Sequence, residues 1–153
     1  MRESIEMSRK VFYSIVGVCA VIIMLTSMDM LFRTKDIEMF NMWLNSGNFT
    51  EEFLSQSNEQ LFSTYLQMCI GMFIIRVITP VSLAIHAYFT LVKSAINKMY
   101  VIVWSVIISG ATALLILGES TFSVFYIGSL IGHIVLVIIM LYLGKCINDI
   151  KGI

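Results

Sequence analysis

The chain has 153 residues, of which 58% are hydrophobic and only 13% are charged. Its mean hydropathy is +0.89, which excludes a soluble globular domain, because a fold of this size has too little interior to hide that much apolar surface. The formal net charge of zero argues against nucleic acid as a partner, and the length fits a single domain covering residues 1–153.

Four apolar segments are long enough to cross a bilayer, since about 20 helical residues span its hydrocarbon core. In chain order they are Val11–Phe32, Tyr65–Val92, Met99–Gly118 and Phe122–Gly144. The first is longer than the apolar core of a signal peptide, so we interpret it as an uncleaved span. The sequence therefore predicts an all-α fold, an integral membrane four-helix bundle.

Basic residues are concentrated on one side of the predicted membrane. They lie in the N-terminal segment, in the link between spans two and three, and in the C-terminal tail: Arg2, Arg9, Lys10, Lys93, Lys98, Lys145 and Lys151. The loop 33–64 carries Arg33 and Lys35 against an excess of acids. The positive-inside rule then places both termini in the cytoplasm and the loop outside, in a cell (inner or plasma) membrane.

The loop 33–64 has a helical pattern of its own. Ile37, Phe40, Trp43 and Leu44 recur at helical spacing, and Ser46-Gly47-Asn48 interrupts that pattern. Thr50 is a suitable N-cap for a second short helix, whose apolar side would be Phe53, Leu54, Leu61 and Phe62. The loop is either a cap that senses or binds something outside, or an interfacial helix pair anchored among the headgroups by Trp43.

The second span carries a charged residue, Arg76, near the middle of the bilayer. It lies about 16 Å along the helix from the outer boundary of the span. A charge at this depth is costly and normally faces protein or water. Pro80 leaves the carbonyl of Arg76 without its helical donor. One face of this span is polar along its length: Tyr65, Cys69, Met72, Arg76, Thr79, His86 and Thr90.

The partner of Arg76 stays open at the level of the sequence. Asp29, in the last turn of the first span, is an acid within a span, but its backbone lies about 11 Å nearer the outer surface. Asp29 and Arg76 can form an ion pair only if the second span is tilted or begins deeper in the membrane than the apolar run indicates. Otherwise Arg76 needs backbone carbonyls, water, an anionic ligand or an acid of another chain.

His133 in the fourth span lies at the estimated depth of Arg76, with Ser129 one turn above it. These residues complete the predicted polar intramembrane site: Arg76, Thr79, Pro80, His133, Ser129 and Asp29.

Two intramembrane histidines raise the possibility of a bis-histidine haem. His86, however, lies about 15 Å deeper than His133, whereas axial ligands share one level, so interhelical hydrogen bonds are favoured. The cysteines Cys19, Cys69 and Cys146 are too dispersed for a zinc site or a disulfide framework. Because no catalytic motif is present either, we predict no cofactor, no metal, no catalytic residues and no enzymatic activity.

Small residues at four-residue spacing predict close helix packing. They are Gly128 and Gly132 in the fourth span and Ser105 and Ser109 in the third. Such residues let helix backbones approach within the bundle or between copies of the chain.

On function, the sequence favours a small non-enzymatic polytopic protein. It would act as an oligomeric sensing, regulatory or accessory subunit with a partner protein, for example in a toxin-immunity or defence-type system of similar architecture. The alternative is an oligomeric channel or transporter with a polar midplane site around Arg76, Thr79 and His133. The expected partners are the lipid bilayer, further copies of the chain and a partner protein.

Overall fold

The computed structural model describes residues 4–5, 7–47, 49–92, 96–117 and 123–149. In chain order its elements are β1 (Ser4–Ile5), α1 (Arg9–Lys35), α2 (Ile37–Ser46), α3 (Glu51–Leu54), α4 (Asn58–Val92), β2 (Ile96–Asn97), α5 (Lys98–Leu117) and α6 (Val124–Asp149). Within these ranges four helices, α1, α4, α5 and α6, are long and apolar enough to cross a membrane. The predicted all-α, multi-pass membrane fold is confirmed, apart from a two-residue antiparallel pairing of β1 with β2.

The four long helices form a ring in which one seam is looser than the others. Helix α1 packs against both α4 and α6, and α5 packs mainly against α6, whereas α4 and α5 touch over a shorter length. Large apolar side chains from all four helices fill the centre of the bundle, and these are fully buried: Ile15, Ile22, Leu83, Ile108, Leu136 and Met140. Burial of this kind is the main contribution that holds the helices' inward faces together.

The two ends of the bundle differ in what connects the helices. At one end the β1–β2 pair joins the segment before α1 to the link between α4 and α5, and Met7 and Ile147 belong to the same core cluster. We call this the termini end. At the other end, the loop end, Asp36 alone separates α1 from α2. Its backbone N–H donates to the carbonyl of Phe32 and ends α1. Its carboxylate caps α2 by accepting a hydrogen bond from Glu38 N at 2.8 Å.

Helix α4 begins about two turns before the predicted span at Tyr65. A capping box explains this start, because Gln60 N donates to the Ser57 hydroxyl at 3.3 Å and Ser57 N donates to Gln60 Oε1 at 3.2 Å. The capping box thus gives two backbone amides at the start of α4 their hydrogen-bond acceptors.

The second short helix of the loop is a single turn, α3, capped by Thr50 as predicted. Leu61 and Phe62 lie in α4, so assigning them to the second short helix was wrong. The predicted ends of the third and fourth spans at Gly118 and Phe122 lie outside the described residues.

Candidate functional site

The centre of the polar site is the carboxylate of Asp29, whose side chain is 1% exposed. Its Oδ2 accepts from Arg76 Nη1 of α4 at 2.8 Å and from Arg33 Nε, one turn later in α1, at 2.9 Å. Its Oδ1 accepts from the hydroxyl of Ser123, the residue that precedes α6. One buried carboxylate therefore connects α1, α4 and the start of α6.

The direction of the side chains explains how Asp29 reaches Arg76 across the gap between their backbones. Side chains of a helix lean toward its N-terminus. Helix α1 runs toward the loop end and α4 runs away from it, so Asp29 leans toward the middle of the bundle and Arg76 leans toward the loop end. The separation of about 11 Å that the helical rise gives is measured between backbones. The two side chains extend toward each other from those backbones, so their charged ends meet.

Tyr126 of α6 extends the cluster to α5. The Arg76 guanidinium carbon lies 5.1 Å from the centre of the Tyr126 ring, a cation–π distance. The Tyr126 hydroxyl donates to the carbonyl of Leu115 at 2.6 Å, and its backbone N donates to the Ser123 hydroxyl at 3.0 Å. The Leu115 carbonyl lies near the end of α5. Tyr126 thus connects the ionic cluster to the end of α5.

A second polar layer lies one to two turns along α6. The hydroxyls of Thr26 and Ser129 are 3.1 Å apart and join α1 to α6. His133 is 0% exposed, and its Nδ1 lies 2.9 Å from the carbonyl oxygen of Ser129. Because a carbonyl can only accept, Nδ1 carries the proton of this bond. In a neutral imidazole the other nitrogen, Nε2, is then an acceptor, and among the described residues it has no partner.

Among the described residues, the ionic cluster consists of the Arg33 and Arg76 guanidinium groups and the Asp29 carboxylate. In a low-dielectric interior, ion pairs with several hydrogen bonds hold their geometry strongly, and loss of one member leaves an uncompensated charge. Within the described ranges, no three His, Cys, Asp or Glu side chains lie close enough to hold a metal ion. The arrangement is suited to fixing helices and to binding polar groups.

A cavity of about 320 Å³ lies between α4 and α5. Three residues of the predicted site, Arg76, Thr79 and His133, line it together with apolar side chains of α4 and α5. Gly110 and Ala111 of α5 line the same cavity, and their small size leaves room between the helices. The structure therefore brings together the three residues that the channel or transporter alternative names.

The seam between α4 and α5 is closed nearer the termini end. Trp104 Nε1 donates to His86 Nδ1 at 2.8 Å, and the His86 ring contacts the Tyr100 ring edge at a centroid distance of 4.9 Å. Pro80 is buried within the continuous helix α4 between these contacts and the cavity. His86 lies on the surface of the bundle, apart from His133.

At the loop end an aromatic cluster attaches α2 and α3 to the start of α4. Phe40 is its buried centre and contacts the rings of Phe62 and Tyr65 at centroid distances of 5.3 and 5.5 Å. Trp43, the predicted membrane anchor, packs against Tyr65 at 5.3 Å within the same cluster. Tyr65 also donates its hydroxyl to the Arg33 carbonyl at 3.1 Å. Ile37, by contrast, is 71% exposed and lies outside the cluster.

The glycine motif of α6 faces α1. A Cβ at Gly132 would lie 2.5 Å from Ile22 Cγ1, and one at Gly128 would lie 3.0 Å from a methyl of Leu25. The serine motif of α5 differs, since Ser105 is half-buried and Ser109 is exposed on the outside of the bundle.

No protein-family model, no curated protein and no solved structure matches this chain. The geometry of its own side chains therefore carries the functional argument.

Sequence reasoning missed three members of the cluster, Arg33, Ser123 and Tyr126. Arg33 stands four residues after Asp29, a spacing that favours an ion pair on one helix face. Ser123 precedes an apolar run, which is the place of an N-cap. Tyr126 has no such signal, because its role depends on where α6 lies against α4.

Proposed function

We propose that this protein is a non-enzymatic, multi-pass subunit of the cell membrane that acts by binding, with its termini in the cytoplasm and its loop end outside. Its role would be sensing or regulation together with a partner protein or further copies of the chain. Toxin-immunity and defence-type systems are examples of such use of a small four-span protein. The single observation that carries this proposal is the buried pair between Arg76 and Asp29.

The pair with Asp29 changes the functional interpretation of Arg76. An intramembrane arginine points to an ion or substrate path when it faces water. Here the Arg76 side chain is 6% exposed and is bonded to a carboxylate of the same chain. A group used in this way stabilises the bundle, and it supports a rigid scaffold more than a conduction path.

The filled centre of the bundle supports the same proposal. Ile22, Leu83 and Leu136 are fully buried along its axis, so the described part of a single copy has no wide channel between its helices. The outer surface is where binding to another molecule can occur. At the loop end, α2 offers Asn41 and Met42 as exposed side chains, and on α5 Ser109 is exposed.

The cavity between α4 and α5 favours a second candidate, an oligomeric channel or transporter. It places Arg76, Thr79 and His133 around one space of about 320 Å³. This candidate requires a path for a polar solute, whereas most residues that line the cavity are apolar. It predicts flux through reconstituted vesicles that is lost when Thr79→Val or His133→Phe is introduced.

Site-specific photo-crosslinking in native membranes tests the subunit proposal. A photoreactive residue replaces Met42 or Ser109 in the full chain, and a matched position, Ile108, is buried on the same helix as Ser109. We expect adducts with a second polypeptide from Met42 or Ser109 and none from Ile108. Adducts with lipid alone from both exposed positions, together with solute flux in vesicles, would favour the transporter instead.

A further inference from the structure

The cavity between α4 and α5 opens sideways, toward the surface that the bundle presents to lipid. The side chains at its mouth are apolar and exposed: Ile75, Ile78, Val106, Ile107 and Leu114. His133 of α6 lines it as well and is 0% exposed, so it forms the wall farthest from the surface. We call this space the α4–α5 groove. A molecule dissolved in the bilayer can enter it without passing through water.

His133, which lines the groove, has a hydrogen-bonding atom that the described residues leave unused. Its Nδ1–H is used by the Ser129 carbonyl, and its Nε2 is a buried acceptor without a partner in the described part of the chain. A buried polar atom that makes no hydrogen bond is unfavourable, because it has lost its hydrogen bonds to water and gained none in the protein. A ligand that donates a hydrogen bond to Nε2 removes this cost.

The other polar residues of the groove restrict what kind of donor fits. The guanidinium of Arg76, a positively charged group, also lines the groove. A cationic donor such as an ammonium group is therefore repelled. A hydroxyl fits better, because it donates its proton to His133 while its oxygen faces the positive charge and the Thr79 hydroxyl.

The volume and the lining residues of the groove limit the size and polarity of the rest of the ligand. A volume of about 320 Å³ is at the lower end of the range for small-molecule sites, which are largely apolar with a few placed polar groups. It accommodates a ring or a few carbons around the hydroxyl. A longer apolar chain would continue between Ile78 and Val106 into the lipid.

We propose that the α4–α5 groove binds a membrane-dissolved molecule that carries a hydroxyl on an apolar body, with the hydroxyl donating to His133 Nε2. Two sources share this chemistry, a hydroquinone headgroup and a hydroxyl-bearing lipid such as a diacylglycerol. The inference goes beyond the proposed subunit role, because binding in the groove requires no second protein.

Equilibrium binding to the full chain in nanodiscs tests the proposal. The probes are a short-chain hydroquinone under anaerobic conditions, compared with its dimethyl ether, and dioctanoylglycerol, compared with its methyl ether; neither ether can donate a hydrogen bond. We expect saturable binding of at least one hydroxyl probe, and about tenfold weaker binding of its ether. Binding of the hydroquinone alone or of the diacylglycerol alone identifies the source. Equal binding of probe and ether, or no saturable binding, overturns the proposal.

Two variants locate the bound probe. A Cβ at Gly110 has nothing within 4 Å, and Gly110 lines the groove, so Gly110→Leu places a side chain in the groove and should abolish binding. Gly17 of α1 is equally open and lies outside the groove, so Gly17→Leu should bind as the wild type does. Equal loss in both variants contradicts the site.

His133→Phe keeps the shape of the ring, removes the acceptor and should weaken binding about tenfold. Unchanged affinity in this variant would exclude the hydrogen bond to Nε2.

A second copy of the chain in the groove would give a different experimental result. If a helix of a second copy fills it, the wild type binds neither probe and Gly110→Leu converts an oligomer to a monomer in mild detergent. That result would also overturn the proposal, whereas the crosslinking from Met42 reports on the subunit role independently.

Discussion

Asp29 of α1 and Arg76 of α4 form a buried ion pair, with Oδ2 and Nη1 2.8 Å apart. It joins two helices that are separated in sequence by residues 36–57, which contain α2 and α3. Each side chain leans toward the N-terminus of its own helix, and because the helices are antiparallel the two side chains meet. The same carboxylate holds Arg33 and Ser123, so within the described ranges Asp29 bonds to three side chains, whereas Arg76 bonds to one carboxylate.

This asymmetry predicts unequal effects of mutation. Asp29→Asn removes the carboxylate that Arg33 and Arg76 share and should destabilise the bundle by about 3–5 kcal/mol, the cost of breaking a buried pair. Arg76→Leu leaves Asp29 with Arg33 and Ser123 and should cost less, about 1–3 kcal/mol. Unfolding of the purified variants in mixed detergent, followed by circular dichroism, measures both values.

The double variant Asp29→Asn/Arg76→Leu is the control for this pair. Coupled residues give non-additive changes in the free energy of unfolding, so the double variant should be more stable than the sum of the two single changes implies. Additive effects, or a larger loss for Arg76→Leu than for Asp29→Asn, would contradict the role of Asp29 as the centre of the cluster.

The contact between α6 and α1 predicts a steric effect at Gly132. In Gly132→Ala the new methyl would lie 2.5 Å from Ile22 Cγ1, and Ile22 is fully buried, so the helices must move apart. Overpacking of this kind costs about 1–3 kcal/mol. Gly71→Ala is the matched control, because a Cβ there has nothing within 4 Å. The same detergent unfolding experiment should show a loss for Gly132 and none for Gly71.

The aromatic cluster predicts that Phe40 holds α2 in place. Phe40→Ala removes the contacts with Phe62 and Tyr65, and truncation of a buried phenylalanine costs about 3–5 kcal/mol of local stability. Limited proteolysis of proteoliposomes should then cleave the loop faster by about tenfold or more. Ile37→Ala on the same helix is the control, since Ile37 is 71% exposed. Equal cleavage of the two variants would mean that α2 is not attached through Phe40.

The capping box at Ser57 predicts a local effect at the start of α4. Ser57→Ala removes the acceptor of Gln60 N, and loss of such a cap costs about 0.5–2 kcal/mol. Hydrogen exchange of the backbone amides in the first turn of α4 should speed up by about three- to tenfold, while the amides around Arg76 stay unchanged. Ser63→Ala, at an exposed position of the same helix, should leave the exchange of that first turn as it is in the wild type.

Much of the fold follows from local features of the chain. The long apolar runs predict the membrane helices, because few charges can be placed in hydrocarbon over such lengths. The polar face of the second span is also readable, and the structure buries Tyr65, Cys69, Arg76, Thr79 and Thr90 of it. The early start of α4 at Asn58 was missed, although Ser57 and Gln60 have the spacing of a capping box.

The sequence by itself determined that a charge in the middle of the second span needs a polar or charged partner inside the protein, because a lone guanidinium in hydrocarbon is too costly. Only the tertiary structure decided that Asp29 is such a partner and that the Tyr126 ring packs on Arg76. It also decided that His133 lines a groove, whereas His86 accepts a hydrogen bond from Trp104. The reason is that these contacts depend on how far and at what height the helices lie from one another. That arrangement is set jointly by the packing of all four helices, and no single segment of the sequence contains it.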